Sequence, residues 1–503
     1  MANTSVVSRN RLIFGLCLPL AILLGYLLAE PLASSSLAIV TMVVSVLSVP
    51  LILRWYHPLL IFSWNATIYL GLLPGRPYLW MLLAFVSFLL AVPGRAANPD
   101  RKFLHVPAMT WSLGCFMAVV VTTACLTGGF GLQTLGSDRI GGRGYFYMLA
   151  AVTGYFALTS QPIPLQRARL YIALFFLSGL TAMVGQLIYF TPAFYFLYYW
   201  FPPEMALGQA MADYSFVDNA VRISGMSVGA LAVNAFLLAR YGLTGVFDLA
   251  RPWRLALLLS AGFASTYGGF RSAVLFQVLL LLVLFTVEGL WRTRYLLIAI
   301  VTALVVGGGL VMFVDRMPLA VQRSVSFLPI KVDPWVKMTA QSSTEWRLEM
   351  WRTLLPEVPN YLFKGKGYAL NPQELSMVAD LADRGTAADA AVAAAYAGDY
   401  HNGPLSVLIP FGVCGAATFL WFLAAGGWVL CQNHRYGDPA LRTVNSFLLA
   451  CYVTRIIFFF FIFGALYNDL YYFTGLAGLS VSLNGGVSRP CPELEPTMDG
   501  SES

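Results

Sequence analysis

Long apolar runs recur along the whole chain and restrict its fold more than any other feature of the sequence. The run "LLIAIVTALVVGGGLVMFV" at residues 296–314 holds no charged residue, and it is close to the ~20 residues that a helix needs to cross a bilayer. Composition agrees with this, because 58% of the residues are hydrophobic and only 11% are charged, against roughly 25% charged in an ordinary soluble domain. The sequence therefore predicts an all-α, polytopic membrane helix bundle.

Counting runs of this length gives about fourteen candidate spans. The third, the fourth and the last are short and can be merged or re-entrant, so we expect about 12–14 transmembrane helices. The candidates lie near residues 12–28, 37–53, 58–73, 78–93, 108–128, 145–160, 170–190, 223–240, 255–270, 272–290, 296–314, 404–431, 444–466 and 471–485. Arg9 and Arg11 precede the first run and no small-residue cleavage site follows it, so this run is interpreted as an anchor and not as a signal peptide.

The basic residues between the runs indicate the orientation. With the N-terminus inside, the short outer loops hold only Arg76, Arg139, Arg143, Arg222 and Arg271. The inner loops hold Arg9, Arg11, Arg54, Arg95, Arg101, Lys102, Arg167, Arg169, Arg240, Arg251, Arg254, Arg292, Arg294, Arg435, Arg442 and Arg489. This asymmetry follows the positive-inside rule and predicts that both termini are cytoplasmic. The net charge of +7 is then a topology signal and gives no reason to expect nucleic-acid binding.

Residues 315–402 form one loop unlike the others, because they contain no convincing span. The predicted topology places this loop outside, and long loops translocate largely regardless of their charge. The sequence thus divides into a transmembrane bundle (1–314), a large extracytoplasmic loop (315–402), C-terminal transmembrane helices (403–486) and a disordered cytoplasmic tail (487–503).

Local signals predict structure in the outer segments. Within the large loop, "SSTEWRLEMWRTLLPEV" (342–358) has Ser/Thr caps and apolar spacing that predict a helix. The stretch "AADAAVAAAYAG" (387–398) predicts a small alanine-rich helix ended by Gly398. The aromatic-rich residues 191–222 are expected at the membrane interface, where Tyr and Trp are favoured.

The seven cysteines give no sign of a metal site or a disulfide framework. Most of them lie inside apolar runs, and neither a CxxC nor a Cys/His spacing is present. No metal ligands are therefore assigned.

Arg271 follows the Gly268-Gly269 pair in "YGGFRSAVL", at the predicted outer mouth of a hairpin between two spans. An arginine at this depth can simply extend its side chain to the water surface. Alternatively, the glycines let the backbone turn tightly and direct the guanidinium at an anionic group.

Arg347 and Trp351 share one face of the predicted loop helix, because they are four residues apart. Glu345 and Glu349 can pair with Arg347 or with Arg352, and taken alone this pattern has the character of a structural helix.

His401 is one of only four histidines, and it stands where the polar loop meets the next apolar run. A lone histidine there can be a structural hydrogen-bonding residue. It can also take a proton from a hydroxyl, with Asp399 or Asn402 orienting the ring. The predicted topology puts Arg271, Arg347 and His401 on the same outer side, where two guanidiniums can clamp a diphosphate beside a base.

Arg455 lies in the middle of "CYVTRIIFFFFIF". A charge at that depth is costly and should face the bundle interior or a water-filled cavity with a partner. The partner can be Asp469 or a backbone carbonyl, or the guanidinium can make a further diphosphate contact. Lys364 and Lys366 can also contact phosphate, or can lie on a solvated face of the loop.

Three segments together resemble the O-antigen ligase and O-antigen polymerase superfamily. They are "GGFRSAVLFQVLLLLV", "STEWRLEMWRTLLPEVPNYLFKGKGYALNP" and "DYHNGPLSVLIPFGVCGAATFLWF", and the resemblance covers about residues 255–425. The family shows an arginine after a small residue in a span, then R-x3-W and G-x-G in a large periplasmic loop, then H-N-x2-L before a span that opens with G-x-x-G. The second and third elements correspond to Arg347, Trp351, Gly365, Gly367, His401, Asn402, Leu405, Gly412 and Gly415. Where the family often has an acid before G-x-x-G, this chain has Pro410-Phe411.

The resemblance implies a GT-C-like glycosyltransferase of the bacterial inner membrane, with its site facing the periplasm. Such enzymes use undecaprenyl-diphosphate-linked glycan donors, need no metal or other cofactor, and invert the anomeric carbon. By this resemblance, Arg271 and Arg347 hold the diphosphate and His401 acts on the acceptor hydroxyl. Supporting roles fall to Asn402, Asp399, Arg455, Trp351 and Lys366.

Three functions follow as alternatives. The first is a polymerase that joins lipid-linked repeat units of an exopolysaccharide or O-antigen, with a flippase and a chain-length regulator as possible partners. The second is a ligase that moves the glycan to lipid A core or to a protein. The third, from a different class, is a polysaccharide-lipid transporter or flippase, for which internal repeats are expected; the sequence shows no such repeat.

Overall fold

A computed structural model describes most of the chain. It covers residues 34–71, 73, 76–97, 103–129, 142–201, 222–370 and 400–490, together with the isolated positions 18, 19, 21, 22, 25, 373, 376, 377, 380 and 398. The predicted first anchor (12–28), the alanine-rich helix (387–398) and the tail beyond residue 490 lie outside the described residues, apart from those isolated positions.

The first part of the chain forms helices that run back and forth. They are α1 (Ser34–Trp64), α2 (Leu79–Ala97), α3 (Pro107–Thr127), α4 (Gly142–Leu158), α5 (Ala168–Leu177), α6 (Ala182–Phe190), α7 (Ser224–Val246), α8 (Trp253–Ser265), α9 (Arg271–Val287) and α10 (Arg294–Phe313). The large loop contributes α11 (Leu319–Val325), α12 (Pro334–Leu354) and α13 (Val358–Tyr361). The C-terminal part forms α14 (Gly403–Tyr436), α15 (Arg442–Phe461) and α16 (Leu466–Asn484).

Short 3₁₀ helices join several of these elements. They are Leu165–Arg167, Ser178–Thr181, Pro192–Tyr199, Thr266–Gly268, Leu290–Arg292, Val314–Arg316, Leu355–Glu357 and Pro439–Leu441. Within the described ranges the only extended pairing is a single bridge between Tyr69 and Tyr78. The predicted all-α class is therefore confirmed.

Among the described residues, seven helical segments are long and apolar enough to cross a membrane. They are Val46–Trp64, Pro107–Thr127, Leu165–Leu187, Ser224–Val246, Arg294–Arg316, Gly403–Tyr436 and Pro439–Phe461. Two shorter apolar helices, Leu79–Val92 and Arg271–Val287, accompany them. A polytopic helix bundle results, as the apolar runs predict.

The sequence left open that the short span 58–73 merges with its neighbour, and the structure shows this. Helix α1 joins the span 37–53 and the first part of 58–73 across a kink and ends at Trp64. It bends at Trp55 (φ −125°, ψ 27°), three residues before Pro58, whose ring and missing N–H disturb the preceding turn. The predicted start of α12 at the Ser/Thr residues of 342–344 is wrong, because the helix begins earlier, at Pro334. The Asp333 carboxylate accepts a hydrogen bond from the Trp335 N–H at 2.8 Å and so caps the helix there.

Helix α16 lies at the centre of the bundle and contacts α4, α14 and α15. Small residues let its neighbours approach closely. At Gly475 a Cβ would lie 2.0 Å from Nε1 of Trp64, and the same indole nitrogen donates to the Tyr471 carbonyl at 3.1 Å. Helix α15 also packs against α9, so the start of α9, the start of α14 and the α15–α16 connection meet at one end of the bundle.

Candidate active site

Arg271 is the first residue of α9, and a glycine turns the chain into the helix. Gly269 has a φ of 68°, a left-handed conformation that residues with a side chain rarely adopt. The Nη2 atom of Arg271 donates to Oγ1 of Thr344, 3.3 Å away on α12. Arg271 therefore connects an apolar helix of the bundle with the principal helix of the large loop.

Helix α12 turns one face towards the start of α14. A small apolar cluster, separate from the main core, forms between them from Met350, Leu354, Tyr400, Leu405 and Ile409. The indole Nε1 of Trp351 donates to the backbone carbonyl of Tyr400 at 3.0 Å. Of the predicted surface pairs on this helix, Glu349 contacts Arg352 at 3.5 Å, and both side chains are exposed.

Arg347 and His401 contact the same aromatic ring. The Cζ atom of Arg347 lies 5.7 Å from the ring centroid of Phe463, in the connection between α15 and α16. The imidazole centroid of His401 lies 5.2 Å from that ring centroid and 5.2 Å from the Trp346 ring. The structure thus brings the arginine of the large loop and the histidine at the α14 start to one place.

The backbone around His401 is held on both sides. His401 has a φ of 46°, which is uncommon for a residue with a side chain, although histidine is enriched there. On one side, the Tyr400 carbonyl accepts the Trp351 hydrogen bond, and burial raises the pKa of the Tyr400 phenol, which stays neutral. On the other, Oδ1 of Asn402 accepts from the Leu405 N–H at 3.1 Å and caps α14. The expected orientation of the His401 ring by Asn402 stays a prediction.

The G-x-G segment of the large loop supports α14 where this helix is interrupted. Gly412 has a φ of 64° and a ψ of −163°, which releases backbone groups that an intact helix would pair. The Ile409 carbonyl accepts instead from the Lys366 N–H at 2.8 Å. The Pro410 carbonyl accepts from the Gly367 N–H at 3.0 Å. Such replacement matters in a membrane, where unsatisfied backbone groups cost several kcal/mol.

Two glycines make this docking possible. A Cβ at Gly365 would lie 2.2 Å from the Pro410 carbonyl oxygen. A Cβ at Gly412 would lie 2.4 Å from the Leu362 carbonyl oxygen. Lys366 contributes its backbone to the docking, and its side chain is half-buried. The phosphate contact expected of the Lys366 side chain stays a prediction.

Arg455 lies beside Asp469, with Nη1 and Oδ1 3.5 Å apart. The guanidinium also lies over the rings of Tyr472 (4.0 Å) and Phe276 (4.9 Å). The other carboxylate oxygen of Asp469 accepts from the Ala465 N–H at 2.8 Å, so one carboxylate serves both the arginine and the start of α16. The predicted pairing is present, while a diphosphate contact stays a prediction.

The candidate residues fall into two groups, one around α12 and the other formed by Arg455 with Asp469. Arg271 and His401 both contact α12, at Thr344 and Trp346, and Arg347 belongs to that helix. Trp351 and Asn402 fix the backbone beside His401. Asp399 lies outside the described residues, and its expected orienting role stays a prediction. Within the described part of the chain, no three His, Cys, Asp or Glu side chains are grouped as metal ligands would be.

Sequence reasoning missed three residues of the site. Trp346 and Thr344 stand in the same motif as Arg347, so their helical spacing was a usable signal. The sequence gives no such signal for Phe463, because two spans separate this residue from His401 and the residues next to Phe463 are equally aromatic.

Residues 255–420 match the family model described as O-antigen ligase. This match supports the resemblance to the O-antigen ligase and polymerase superfamily. The match begins in α8 and ends inside α14, so it includes Arg271, Arg347 and His401, whereas Arg455 and Phe463 follow it. No curated protein matches the chain. The O-antigen ligase domain supports a glycosyltransferase-type membrane enzyme of O-antigen or polysaccharide assembly.

Proposed function

We propose that the protein is a membrane glycosyltransferase that polymerises undecaprenyl-diphosphate-linked oligosaccharide repeat units of an exopolysaccharide or O-antigen. One observation carries the proposal: Arg271 contacts Thr344 on α12, and Arg347 on the same helix shares the Phe463 ring with His401. All three residues lie inside the O-antigen ligase match. Guanidiniums suit diphosphate oxygens, because their planar donors match two oxygens at once.

The reaction is a single displacement at the anomeric carbon of the donor. The acceptor hydroxyl oxygen forms the new bond to this carbon while the bond to the diphosphate oxygen breaks. His401 takes the hydroxyl proton, and the undecaprenyl diphosphate leaves with one additional negative charge. Attack opposite the leaving group inverts the anomeric configuration, and no metal is required in this scheme.

Arg271 and Arg347 stabilise the charge that develops on the leaving diphosphate. This role is worth most in the transition state, since charge builds up there on the bridging oxygen. The half-buried position of both side chains favours a strong effect, because screening by water is reduced.

The proposed site lies on the outer face of a bacterial inner membrane, with both termini inside. The arginine distribution between the spans supports this orientation. A topology reporter fused near Gly385 should report a periplasmic location. A cytoplasmic signal from that fusion would separate the site from exported substrates and contradict the proposal.

The deciding experiment uses purified full-length protein in liposomes with an undecaprenyl-diphosphate oligosaccharide. We expect a ladder of products that share one lipid diphosphate. Arg347→Ala should abolish the ladder, while Arg352→Ala, on the same helix with a side chain 76% exposed, should keep it. Absence of any transfer by the wild-type protein with its cognate donor would overturn the proposal.

A ligase that transfers the glycan to lipid A core or to a protein is the second candidate, and the same O-antigen ligase match favours it. In the liposome experiment it would give a single transfer to an added acceptor and no ladder. Movement of the lipid-linked glycan across the bilayer without any new glycosidic bond would indicate the transporter or flippase alternative.

A further inference from the structure

Phe463 occupies a short connection that is fixed at both ends. The connection spans residues 462–465, between the end of α15 and the start of α16. The Phe463 N–H donates to the Phe458 carbonyl at 2.9 Å, which continues the end of α15. The ring is half-buried, so it is partly accessible to a bound substrate.

The same connection and the first residue of α16 are bound to the first turn of α14. The Leu466 N–H donates to Oγ of Ser406 at 3.0 Å, and this hydroxyl donates to the Gly403 carbonyl at 2.7 Å. A Cβ at Gly464 would lie 2.8 Å from Cα of Gly403, so the two backbones touch. His401 precedes Gly403 by two residues, and the position of Phe463 relative to His401 is therefore set by backbone contacts.

Arg347 reaches this ring from a third element. Helix α12 is held at Tyr400 by Trp351, one turn beyond Arg347. The Arg347 guanidinium then lies 5.7 Å from the Phe463 centroid, within the range of a cation–π contact. His401 approaches the same ring at 5.2 Å, with the two planes inclined by 41°.

We propose that Phe463 is a positioning residue that holds Arg347 and His401 at a fixed separation, so that the leaving diphosphate and the attacking hydroxyl lie on opposite sides of the anomeric carbon. This inference rests on the proposed function. A benzene ring suits the task because it attracts a guanidinium and packs against an imidazole without using their N–H groups.

The required geometry is strict. An in-line displacement needs the reacting atoms ~3–3.5 Å apart and aligned, and an error of about 1 Å costs on the order of 10²-fold in rate. Phe463 acts by positioning Arg347 and His401 and takes no part in the chemical step itself. Its loss should therefore lower kcat more than it raises KM for the lipid-linked donor.

The test compares replacements of Phe463 with the same replacement at an exposed neighbour. Phe463→Ala and Phe463→Leu should lower kcat by about 10- to 100-fold. Phe463→Tyr keeps the ring and should stay within about threefold of the wild type. Phe461 is 82% exposed, so Phe461→Ala should leave kcat and KM unchanged.

The leucine variant distinguishes positioning from simple packing. Leucine fills most of the space but offers no ring, so full activity of Phe463→Leu would overturn the proposal, as would full activity of Phe463→Ala. All variants are compared at equal membrane abundance and with their thermal unfolding measured. Reduced folding of the alanine variant therefore leaves the leucine and tyrosine comparison intact.

Measuring His401→Ala and Arg347→Ala in the same assay distinguishes a failure of the positioning role from a failure of the proposed function. If both lose turnover while the Phe463 variants do not, the positioning role fails and the proposed function stands. If both retain wild-type turnover, the proposed function itself fails.

Discussion

The indole nitrogen of Trp351 donates a hydrogen bond to the backbone carbonyl of Tyr400, 3.0 Å away. Trp351 follows Arg347 by one helical turn, and Tyr400 immediately precedes His401. This hydrogen bond therefore connects α12, which carries the proposed diphosphate-binding residue Arg347, with the backbone beside His401, the proposed base. The R-x3-W spacing follows from this arrangement, since the tryptophan anchors the helix one turn away from the arginine that reaches Phe463.

Trp351→Phe should reduce turnover by about 5- to 20-fold, because the Tyr400 carbonyl loses its donor at a cost of about 1–2 kcal/mol. The measurement is the initial rate of glycan transfer at equal membrane abundance. Trp421, 46% exposed on α14, supplies the control, and Trp421→Phe should behave as wild type. An unchanged rate for Trp351→Phe would show that the anchoring bond does not limit catalysis.

Lysine should replace neither Arg271 nor Arg347. An ammonium is a point charge and loses the two-point contact of a guanidinium with phosphate oxygens, so each Lys variant should lose most of its turnover, with weaker donor binding. Arg352→Lys is the matched control on α12, where the side chain is exposed. Normal donor affinity and rate in both Lys variants would remove the support for a diphosphate clamp.

Arg455 and Asp469 should depend on each other for stability. Removing one partner of a buried ion pair leaves an uncompensated charge and typically costs about 3–5 kcal/mol. Arg455→Leu and Asp469→Leu should each lower the thermal unfolding temperature and the membrane abundance, and Arg455→Lys should be better tolerated than Arg455→Leu. The double variant Arg455→Leu/Asp469→Leu should recover part of the loss. Wild-type stability in Arg455→Leu would contradict a charge-pairing role.

Gly365→Ala should disrupt the contact between the large loop and the interrupted α14. A Cβ there would lie 2.2 Å from a backbone oxygen, and the φ of 74° disfavours any side chain. We expect lower thermal stability together with reduced turnover. Gly308 in α10 has no atom within 4 Å of its would-be Cβ, so Gly308→Ala should be neutral. Equal stability of the two variants would show that the loop can dock elsewhere.

The apolar runs predicted the bundle well because a span is a local property of the chain. The run 296–314 nearly coincides with α10 (Arg294–Phe313). The prediction was wrong where one side chain changed a boundary, as when Asp333 capped α12 ahead of the Ser/Thr signals. Where α1 joins two runs, it contains a kink at Trp55, because Pro58 bends a membrane helix without ending it.

The site was predictable only as far as its motifs are local. Arg347, Trp351 and His401 stand in recognisable spacings, and the family match includes all three. The place of Phe463 beside these residues depends on how α15 and α16 pack, which no spacing in the sequence encodes. The ring shared by Arg347 and His401 therefore appears only in three dimensions.

His401 should be indispensable for turnover, and glycine is the informative replacement. General-base assistance is typically worth 10²–10⁴-fold, so His401→Ala and His401→Gly should both lose activity on that scale. Alanine must adopt the φ of 46° at a cost of roughly 1–2 kcal/mol, whereas glycine adopts it freely. His401→Gly should therefore fold at least as well as His401→Ala.

The variant Asn402→Ala tests the start of α14 independently of the proposed base, His401. This change removes the cap on α14, worth about 1 kcal/mol, and should reduce turnover only mildly. The measurement is the single-turnover rate of glycan transfer with each variant at equal membrane abundance, together with thermal unfolding.

Because His401→Gly removes the imidazole and relaxes the backbone at once, its loss of activity cannot come from strain. A wild-type rate in His401→Gly would make His401 a structural residue and take the base out of the proposed mechanism.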